Sequence, residues 1–369
     1  MLTGIALVLG AVAIVTTALS LSRHRAWWVR MWDFPRAQVF VVGLVALGLW
    51  IAAGRAATGL GALLTGVLAL ALVVQATAIW RYTPLAPREV QGSRLAERGA
   101  TLSLVVSNVL ESNRDADRLV AVTRAADADV MLFVEADPWW QARLDAAFAT
   151  SHPEGARCAI PNTYGMLLYS RLPLEGLQVE YLVQPDIPSM QAQAVLASGA
   201  RVWLNAVHPR PPAPGESDDS LERDAELLVV GHRIRDGFES AGSRPVVVFG
   251  DLNDVAWSRT TRLFQKVSRL LDPRKGRGLF PTFHARWPGL RWPLDHVFFS
   301  DDFRLVTMRR LDYVGSDHFP VYVCLSHEPP AAEQQEAPDA DHADLQEAHE
   351  TLREAERDPD IAATDLTDR

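Results

Sequence analysis

Polar side chains that could bind a metal ion or move a proton recur along this chain directly after short apolar runs. They are Asn108, Glu135, His208, the Gly-Asp-Leu-Asn motif at 250–253, the Leu-Asp-His motif at 294–296 and the Gly-Ser-Asp-His motif at 315–318. Carboxylate and amide oxygens suit hard cations such as Mg²⁺. A histidine beside an aspartate can hold or transfer a proton. Together the motifs indicate metal-assisted chemistry at a phosphate group.

Each of these residues, taken singly, has an ordinary structural explanation. An Asn or Asp after a strand usually caps a turn or a helix, and a lone Glu there is most often solvated. The set is harder to explain in this way, because Glu135 and Asp317 can supply the carboxylates of a Mg²⁺ or Mn²⁺ site. The only cysteines are Cys158 and Cys324, so a cysteine-based zinc site is not expected. Whether the two pair is left open.

The apolar runs predict the elements that must position these motifs. Alternating or β-branched runs predict strands, and apolar residues at helical spacing predict helices. The predicted strands are 101–107, 130–134, 165–169, 202–207, 246–249, 296–299 and 320–324, and the predicted helices are 115–126 and 221–238. This pattern is typical of an α/β domain with a mixed or antiparallel sheet core, whose strand ends carry the polar motifs.

Three uncharged apolar runs precede this domain, at Leu2–Leu21, 37–54 and 56–80. Each is about the length that crosses the hydrocarbon core of a bilayer. We therefore expect three transmembrane helices, since a soluble core rarely contains three such runs in succession. Three Trp and four Arg between the first two runs suit the membrane interface. The Arg distribution over the loops favours a cytoplasmic catalytic domain.

Charge divides the chain into unlike parts. Residues 1–99 hold nine Arg and three acids, residues 100–327 hold 24 Lys and Arg against 28 acids, and residues 328–369 hold 14 acids against three Arg. The middle part has no excess of positive charge, so nucleic acid is not the favoured partner. The acidic end is expected to be disordered or a loose solvated helix.

These patterns divide the chain into four expected segments. They are a transmembrane region with three helices at 1–81, a linker at 82–99, a catalytic domain at 100–326 and an acidic, disordered tail at 327–369. The stretch 259–277 holds seven cations and one acid, which suits either an anionic ligand or a solvated helix. Arg210 is a candidate phosphate contact. Trp257, Trp287 and Trp292 flank the catalytic segments and are candidates for the substrate cleft, with core packing as the favoured explanation.

The order Asn, Glu, His, Gly-Asp-Leu-Asn, Leu-Asp-His and Ser-Asp-His resembles the endonuclease/exonuclease/phosphatase superfamily over about residues 100–325. The segment 164–171 is also similar to a mid-domain strand of that family. The resemblance implies a four-layer α/β sandwich with two central sheets. With the apolar runs, the chain looks most like membrane-bound bacterial members at the inner membrane. Because such members act on envelope components, the resemblance favours an external catalytic domain, and the side of the membrane stays open.

The resemblance implies a set of metal ligands. Glu135 is the expected principal Mg²⁺ ligand, helped by Asn108 and Asp317. One departure is Leu110, two residues after Asn108, where abasic-site endonucleases carry Asp. The deoxyribonuclease branch lacks that Asp as well, so activity is still expected and the abasic-site interpretation is weakened.

The resemblance also implies catalytic roles. Asp251 orients or deprotonates the attacking water, and Asn253 holds the phosphate or the nucleophile. His318, oriented by Asp295, stabilises negative charge on the phosphoryl oxygens. His208 is a candidate general acid toward the leaving group. Metal and preorganised donors together would supply most of the transition-state stabilisation.

Three functions fit this reasoning. The first is a membrane-anchored, Mg²⁺-dependent hydrolase of a lipid-linked or small anionic phosphoester, with membrane lipids as partners. The second is a membrane-tethered, Mg²⁺-dependent nuclease. The third is a catalytically inactive membrane interaction protein, which is disfavoured because every site position carries a chemically suitable residue.

Overall fold

The structure is a computed structural model that describes residues 1–57, 59–93, 99–242, 244–361 and 366. The chain divides into two compact units. The first comprises Met1–Pro87, Pro212–Ser220 and Gly276–Gly278, and the second comprises Arg88–Pro211, Leu221–Lys275 and Leu279–Arg369. The first boundary, at Pro87, falls within the predicted linker 82–99, of which residues 94–98 lie outside the described residues.

The first unit consists mainly of apolar helices. They are α1 (Leu2–Leu21), α2 (Trp27–Arg30) with a 3₁₀ turn (Met31–Asp33), α3 (Arg36–Ala52) and α4 (Gly59–Trp80). Helices α1 and α4 are each long and apolar enough to cross a membrane, with mean hydropathy 2.3 and 2.2. Helix α3 qualifies only together with Trp27–Asp33, as a pair bent by 74°. The described residues thus hold two candidate spans, or three if the bent pair is one span.

Small residues let the helices of the first unit approach closely. A Cβ added at Gly43 of α3 would lie 2.8 Å from a methyl carbon of Leu72 on α4, so the glycine permits this contact. The interior also holds polar groups that satisfy one another. Arg36 donates to a carboxylate oxygen of Asp33 at 3.2 Å, and the amide of Gln75 donates to the hydroxyl of Thr17 at 2.8 Å.

Two mixed sheets form the centre of the second unit. The strands are β1 (Thr101–Asn108), β2 (Val130–Val134), β3 (Arg157–Cys158), β4 (Met166–Ser170), β5 (Leu174–Glu180), β6 (Ser189–Val195), β7 (Arg201–Ala206), β8 (Val246–Asp251), β9 (Asp295–Phe299), β10 (Phe303–Arg310) and β11 (Val321–His327). The first sheet has the order β10-β11-β1-β2-β4-β3, and the second has the order β5-β6-β7-β8-β9. The pairs β1/β2 and β7/β8 are parallel, and their neighbours in each sheet are antiparallel.

Helices cover the outer face of each sheet. They are α5 (Ala116–Ala126), α6 (Pro138–Phe148), α7 (Leu221–Ala241), α8 (Arg259–Ser268) and α9 (His342–Arg357). Alternate residues of each strand, such as Leu104 and Leu132, pack between the two sheets, while Val105 and Phe133 face α5 and α6. Helices α7, α8 and α9 pack on the second sheet. The expected four-layer α/β sandwich with two central sheets is confirmed.

The chain after β11 differs from the expectation. Ala348, Leu352 and Ala355 recur at helical spacing on α9, and all three are buried against α7 and α8. Asp344 pairs with Lys266 of α8 at 2.7 Å, and Glu347 pairs with Arg259. Disorder of the tail 327–369 is therefore wrong for His342–Arg357, because two of its acids pair with cations of α8 and its apolar residues are buried in the core. Residues 362–365 and 367–369 lie outside the described residues.

Candidate active site

The topology explains why residues far apart in the sequence meet. Carboxyl ends of parallel strands lie at the same edge of a sheet, so Asn108 at the end of β1 lies near Glu135, which follows β2. His208 follows β7 and Asp251 ends β8 in the same way. Strand β9 is antiparallel to β8 and begins at Asp295, directly paired with Asp251.

One amide links two carboxylates across the two sheets. The Nδ2 group of Asn108 donates to Oε1 of Glu135 at 2.6 Å and to Oδ2 of Asp251 at 3.0 Å. Asn108 is 1% exposed, and its side-chain oxygen accepts from the backbone N–H of Leu110 at 2.9 Å. Glu135 has a φ of +57°, an uncommon conformation for a residue with a side chain. The chain thus turns sharply at Glu135 as it leaves β2.

The Gly-Asp-Leu-Asn motif forms a tight turn after β8. Gly250 has a φ of +152°, and a Cβ there would lie 1.8 Å from the carbonyl oxygen of Val207, so only glycine fits. Oδ1 of Asp251 accepts from the backbone N–H of Asn253 at 3.0 Å. The amide of Asn253 donates to the carbonyl oxygen of Pro209 at 3.0 Å. The motif is therefore joined to the chain that follows His208.

His318 and Asp295 form a buried dyad. Nδ1 of His318 donates to Oδ2 of Asp295 at 2.8 Å, and Nε2 lies 3.6 Å from Oδ2 of Asp251. Burial disfavours the imidazolium, but the charges of Asp295 and Asp251 outweigh it and raise the pKa of His318 to about 10. A separation of 3.6 Å is longer than a hydrogen bond. The Nε2–H group therefore remains available to a ligand.

The carboxyl groups around the dyad differ in acidity. Burial raises the pKa of Glu135 and of Asp295 above the ordinary range. Asp251 is also buried, but its neighbours His318 and His208 outweigh this effect and lower its pKa. Groups whose environments push their pKa values apart are typical of acid–base sites.

His208 is held in one orientation. Its Nδ1 lies 3.1 Å from the backbone carbonyl oxygen of Asp251, and a carbonyl oxygen can only accept. Nδ1 therefore carries the proton of this bond, and Nε2 is the nitrogen left for proton transfer. The ring of Tyr164 lies 5.7 Å from the His208 ring. Arg210 lies over Tyr164 at 5.6 Å.

The predicted metal ligands are only partly brought together by direct contacts. Glu135 and Asn108 are bonded to each other, whereas Asp317 accepts a 3.4 Å bond from Ser316 and its carbonyl oxygen accepts from the N–H of Ala285. Within the described part of the chain, the three acidic or imidazole side chains whose ligand atoms lie within 4.8 Å of one another are Asp251, Asp295 and His318. In that trio the protonated ring of His318 already supplies the positive charge that balances the two carboxylates. Glu135 and Asn108 carry oxygen atoms of the kind that a hard cation takes as ligands.

Sequence reasoning missed the residues that support the dyad. The hydroxyl oxygen of Thr282 accepts from the N–H groups of Leu294 and Asp295 at 3.2 and 3.3 Å. The ring of Phe283 lies 5.0 Å from that of His318. Neither residue follows a strand-like run, so no periodic signal marked them.

Sequence reasoning also missed Arg223, which lies within α7 and donates to the carbonyl oxygen of Asn253 at 3.1 Å. Its contact to the Gly-Asp-Leu-Asn turn joins α7 to the site. The sequence pattern of a helix does not indicate which of its residues contacts a distant turn, so this contact could not be predicted.

The candidate cationic contacts for an anionic ligand are mostly paired within the protein. Arg210 pairs with Asp186 at 3.1 Å and with Glu222 at 3.3 Å. In the basic stretch, Arg274 pairs with Asp272 at 2.8 Å, and Lys275 pairs with Glu89 at 2.7 Å. These charges stabilise the fold, so the hypothesis that the stretch 259–277 attracts an anionic ligand loses its main support. Cys158 and Cys324 are free thiols.

A family model and several solved structures match this chain over the second unit. Residues 105–318 match the model of a family described as the Endonuclease/Exonuclease/phosphatase family. A humanized D. rerio TDP2 has a similar structure, with a TM-score of 0.50 and 16% identity, covering 62% of this chain and 99% of that one.

Two further solved structures are similar over the same region. A Bacteroides vulgatus endonuclease/exonuclease/phosphatase has a TM-score of 0.49 and 17% identity, covering 62% of this chain and 99% of that one. Sphingomyelinase C from Streptomyces griseocarneus has a TM-score of 0.46 and 16% identity, covering 61% and 99%. No curated protein matches the chain by sequence.

Proposed function

Because this chain belongs to the endonuclease/exonuclease/phosphatase family, whose members are metal-dependent phosphoester hydrolases, we propose that it hydrolyses a lipid-linked or small anionic phosphoester at a bacterial inner membrane. The observation that carries this proposal is the meeting of Asn108, Glu135, Asp251 and the His318–Asp295 dyad at one edge of two sheets. Acidic oxygens lie beside directed proton donors there, as phosphoester hydrolysis requires.

We assign Mg²⁺ (or Mn²⁺) to Glu135, assisted by Asn108 and Asp317. Glu135 is half-buried and its Oε1 has one amide partner, so its carboxylate can reorganise around a cation. A bound divalent ion supplies charge stabilisation to the phosphoryl oxygens. Oxygen ligands of this kind suit a hard cation and not a thiophilic one.

The protein's own groups can perform the proton steps. Asp251 has a lowered pKa, so it is ionised at neutral pH and can orient or deprotonate a water. The N–H of Asn253 fixes one oxygen of that carboxylate, and the side chain of Asn253 is held by Pro209. His318 stays protonated because its pKa is about 10, and its Nε2–H can donate to a phosphoryl oxygen. Asp295 acts as the positioning residue for that imidazolium.

His208 is the candidate general acid. Its Nδ1 is occupied by the Asp251 carbonyl oxygen, which leaves Nε2 to deliver a proton to the departing oxygen. The contact with Tyr164 limits how far the ring can turn.

Membrane anchoring is supported by the helices of the first unit. Helices α1 and α4 each satisfy the length and composition of a span, and α3 qualifies as part of a bent pair. An enzyme tethered in this way meets lipid headgroups at high local concentration, which favours a lipid-linked substrate over a freely diffusing polymer.

A substrate panel tests the proposal. Full-length protein in detergent is assayed on phospholipids, lipid pyrophosphates, inositol phosphates and supercoiled plasmid, with Mg²⁺, with Mn²⁺ and with EDTA. We expect metal-dependent release of a phosphate product from a lipid-linked or small phosphoester. Glu135→Gln should abolish it, whereas Glu180→Gln, at a half-buried glutamate paired with Arg233 at the outer strand β5, should not.

Other outcomes contradict the proposal in defined ways. Plasmid nicking as the fastest metal-dependent reaction would make the protein a membrane-tethered nuclease. Equal and negligible rates for wild type and Glu135→Gln over the whole panel would support an inactive interaction protein. A topology reporter fused at the C-terminus determines which side of the membrane the second unit occupies.

A further inference from the structure

A short hairpin projects from the segment that carries the dyad. Thr282 and Phe283 donate backbone N–H bonds to the carbonyl oxygen of Trp292 at 3.0 Å, and His284 donates to Leu290 at 3.1 Å. We call residues 282–292 the Trp287 hairpin. Its tip, residues 286–290, is exposed throughout.

The tip is apolar where the surrounding surface is not. Trp287 is 62% exposed and Leu290 is 50% exposed, and they are the two most exposed large apolar side chains that the structure describes in the second unit. Folding alone gives no reason to place a tryptophan and a leucine in water at the end of a hairpin. A surface of this kind indicates a partner that covers it.

Arginines surround the base of the tip. Arg286 donates to the hydroxyl of Tyr313 and to the carbonyl oxygen of Gly315, both at 3.0 Å. Arg291 donates to the carbonyl oxygen of Ala285 at 2.7 Å. In the described part of the chain, neither arginine forms an ion pair with a carboxylate. Their positive charge is therefore not compensated within the protein.

A third arginine extends this positive group. Arg310 donates to the carbonyl oxygen of Pro281 at 3.1 Å, and both Arg310 and Arg291 lie over the ring of Phe319, at 4.2 and 5.1 Å. Burial and the neighbouring charge of Arg291 lower the pKa of Arg310. The base of the hairpin thus presents positive charge toward any surface that the tip enters.

The base of the hairpin is bonded to the catalytic segment. The N–H of Ala285 donates to the carbonyl oxygen of Asp317 at 2.6 Å, and the N–H of Phe319 donates to that of Thr282 at 3.0 Å. Phe283 contacts the ring of His318. A surface that holds the tip therefore also lies next to the dyad.

We propose that the Trp287 hairpin docks the catalytic unit onto a bilayer containing anionic phospholipids, with Trp287 and Leu290 entering the headgroup region. Tryptophan prefers that depth because its ring is apolar and its N–H is polar. The uncompensated arginines match negative headgroups, which an uncharged bilayer lacks. This inference extends the proposed function, since docking would present a lipid phosphoester to the site.

Site-specific fluorescence tests the docking without measuring turnover. Leu290→Cys is made in a full-length Cys158→Ser/Cys324→Ser background and labelled with an environment-sensitive nitrobenzoxadiazole dye. The matched control carries the dye at Val306→Cys on β10, where the native valine is 39% exposed. Both proteins are reconstituted into bilayers of phosphatidylcholine alone and of equimolar phosphatidylcholine and phosphatidylglycerol, with and without brominated acyl chains.

We expect the dye at position 290 to shift to the blue and to be quenched by brominated lipid in the anionic bilayer. The shift should weaken in phosphatidylcholine alone and after Arg286→Gln/Arg291→Gln, while the dye at position 306 stays unquenched. Equal quenching at both positions, or none at position 290, would overturn the docking. A blue shift at position 290 without quenching would also overturn it, because protein would then cover the tip. If docking fails while hydrolysis persists, the proposed function stands without it.

Discussion

His296 and His318 are both buried histidines of the second unit, yet one is neutral and the other is positively charged. The pKa of His296 is lowered to about 3 by burial and by the charge of Arg274, so its ring is neutral. The pKa of His318 is raised to about 10, because Asp295 and Asp251 outweigh the effect of burial. Burial is common to both, so the neighbouring charges decide the protonation state.

The two histidines also differ in whether their ring nitrogens have hydrogen-bond partners within the protein. Nδ1 of His296 accepts from Arg274 at 2.6 Å, and Nε2 donates to the carbonyl oxygen of Asp254 at 2.9 Å. Both ring nitrogens are thus used within the protein. His318 uses only Nδ1 in a hydrogen bond, with Nε2 held 3.6 Å from Asp251. A closed set of bonds stabilises the fold, whereas an oriented atom without a bond is available for chemistry.

The first prediction removes the charge that faces His318. Asp251→Asn should lower the hydrolysis rate by about a thousandfold, because it removes the candidate base. It should also lower the free energy of unfolding, because the lowered pKa of Asp251 means that its ionised form stabilises the folded state, so the rate is expressed per folded molecule. Rates and thermal unfolding are compared with Asp145→Asn, an aspartate of α6 paired with Arg157. An unchanged rate per folded molecule would contradict the assignment.

The second prediction removes Arg274, the cation that bonds to His296. Arg274 is 1% exposed and forms two 2.8 Å bonds to Asp272. Arg274→Met leaves that carboxylate buried without its partner, so the free energy of unfolding should fall by about 3–5 kcal/mol. Denaturant unfolding measures it. The hydrolysis rate per folded molecule should change far less than in Asp251→Asn. A thousandfold loss of rate at full stability would contradict the distinction between a structural His296 and a catalytic His318.

The third prediction concerns Glu226, a buried acid of α7. Burial raises the pKa of Glu226 to about 7, although the hydroxyl of Ser189 donates to it at 2.7 Å. The folded state therefore binds its proton more tightly than the unfolded state does. Stability from this group is complete below about pH 4.5 and is lost as the pH rises to about 7, by about 3 kcal/mol. Glu226→Gln should flatten the unfolding free energy over that range, and an unchanged slope would contradict it.

The fourth prediction tests the dyad itself. Asp295→Asn removes the carboxylate charge that does most to hold the proton on His318. The pKa of His318 should then fall by at least about one pH unit toward the ordinary value. A histidine-labelled NMR titration of metal-free protein measures this change, and the signal of His296 serves as the internal control because it stays neutral. A shift of both signals would mean that the fold had changed.

The sequence predicted the residues that face a ligand better than the residues that hold them in place. Asn108, Glu135 and Asp251 are conspicuous because each polar residue ends an apolar run, and the topology then brings them together. The supporting groups carry no such mark. Arg223 lies within a helix, Thr282 lies in a hairpin without strand periodicity, and the partner of Arg274 is known only from the fold.

The tail shows a different limit of sequence reasoning. An excess of acid usually indicates a solvated segment, and three apolar residues at helical spacing were too weak a signal against it. The basic residues that pair with α9 lie on α8, far away in the sequence. A charge count made segment by segment cannot detect such compensation.

The pairing of the first strand with the last has a consequence for biosynthesis. Strand β1 pairs with β2 on one side and with β11 on the other, from Thr101 opposite Ser326 to Val106 opposite Val321. During synthesis on the ribosome, one edge of β1 therefore stays unpaired until nearly all of the unit has emerged. An apolar strand with an open edge can pair with another chain. The nascent protein is thus most exposed to misassembly just before β11 is released, and a chain truncated before that strand should depend on chaperones to remain soluble.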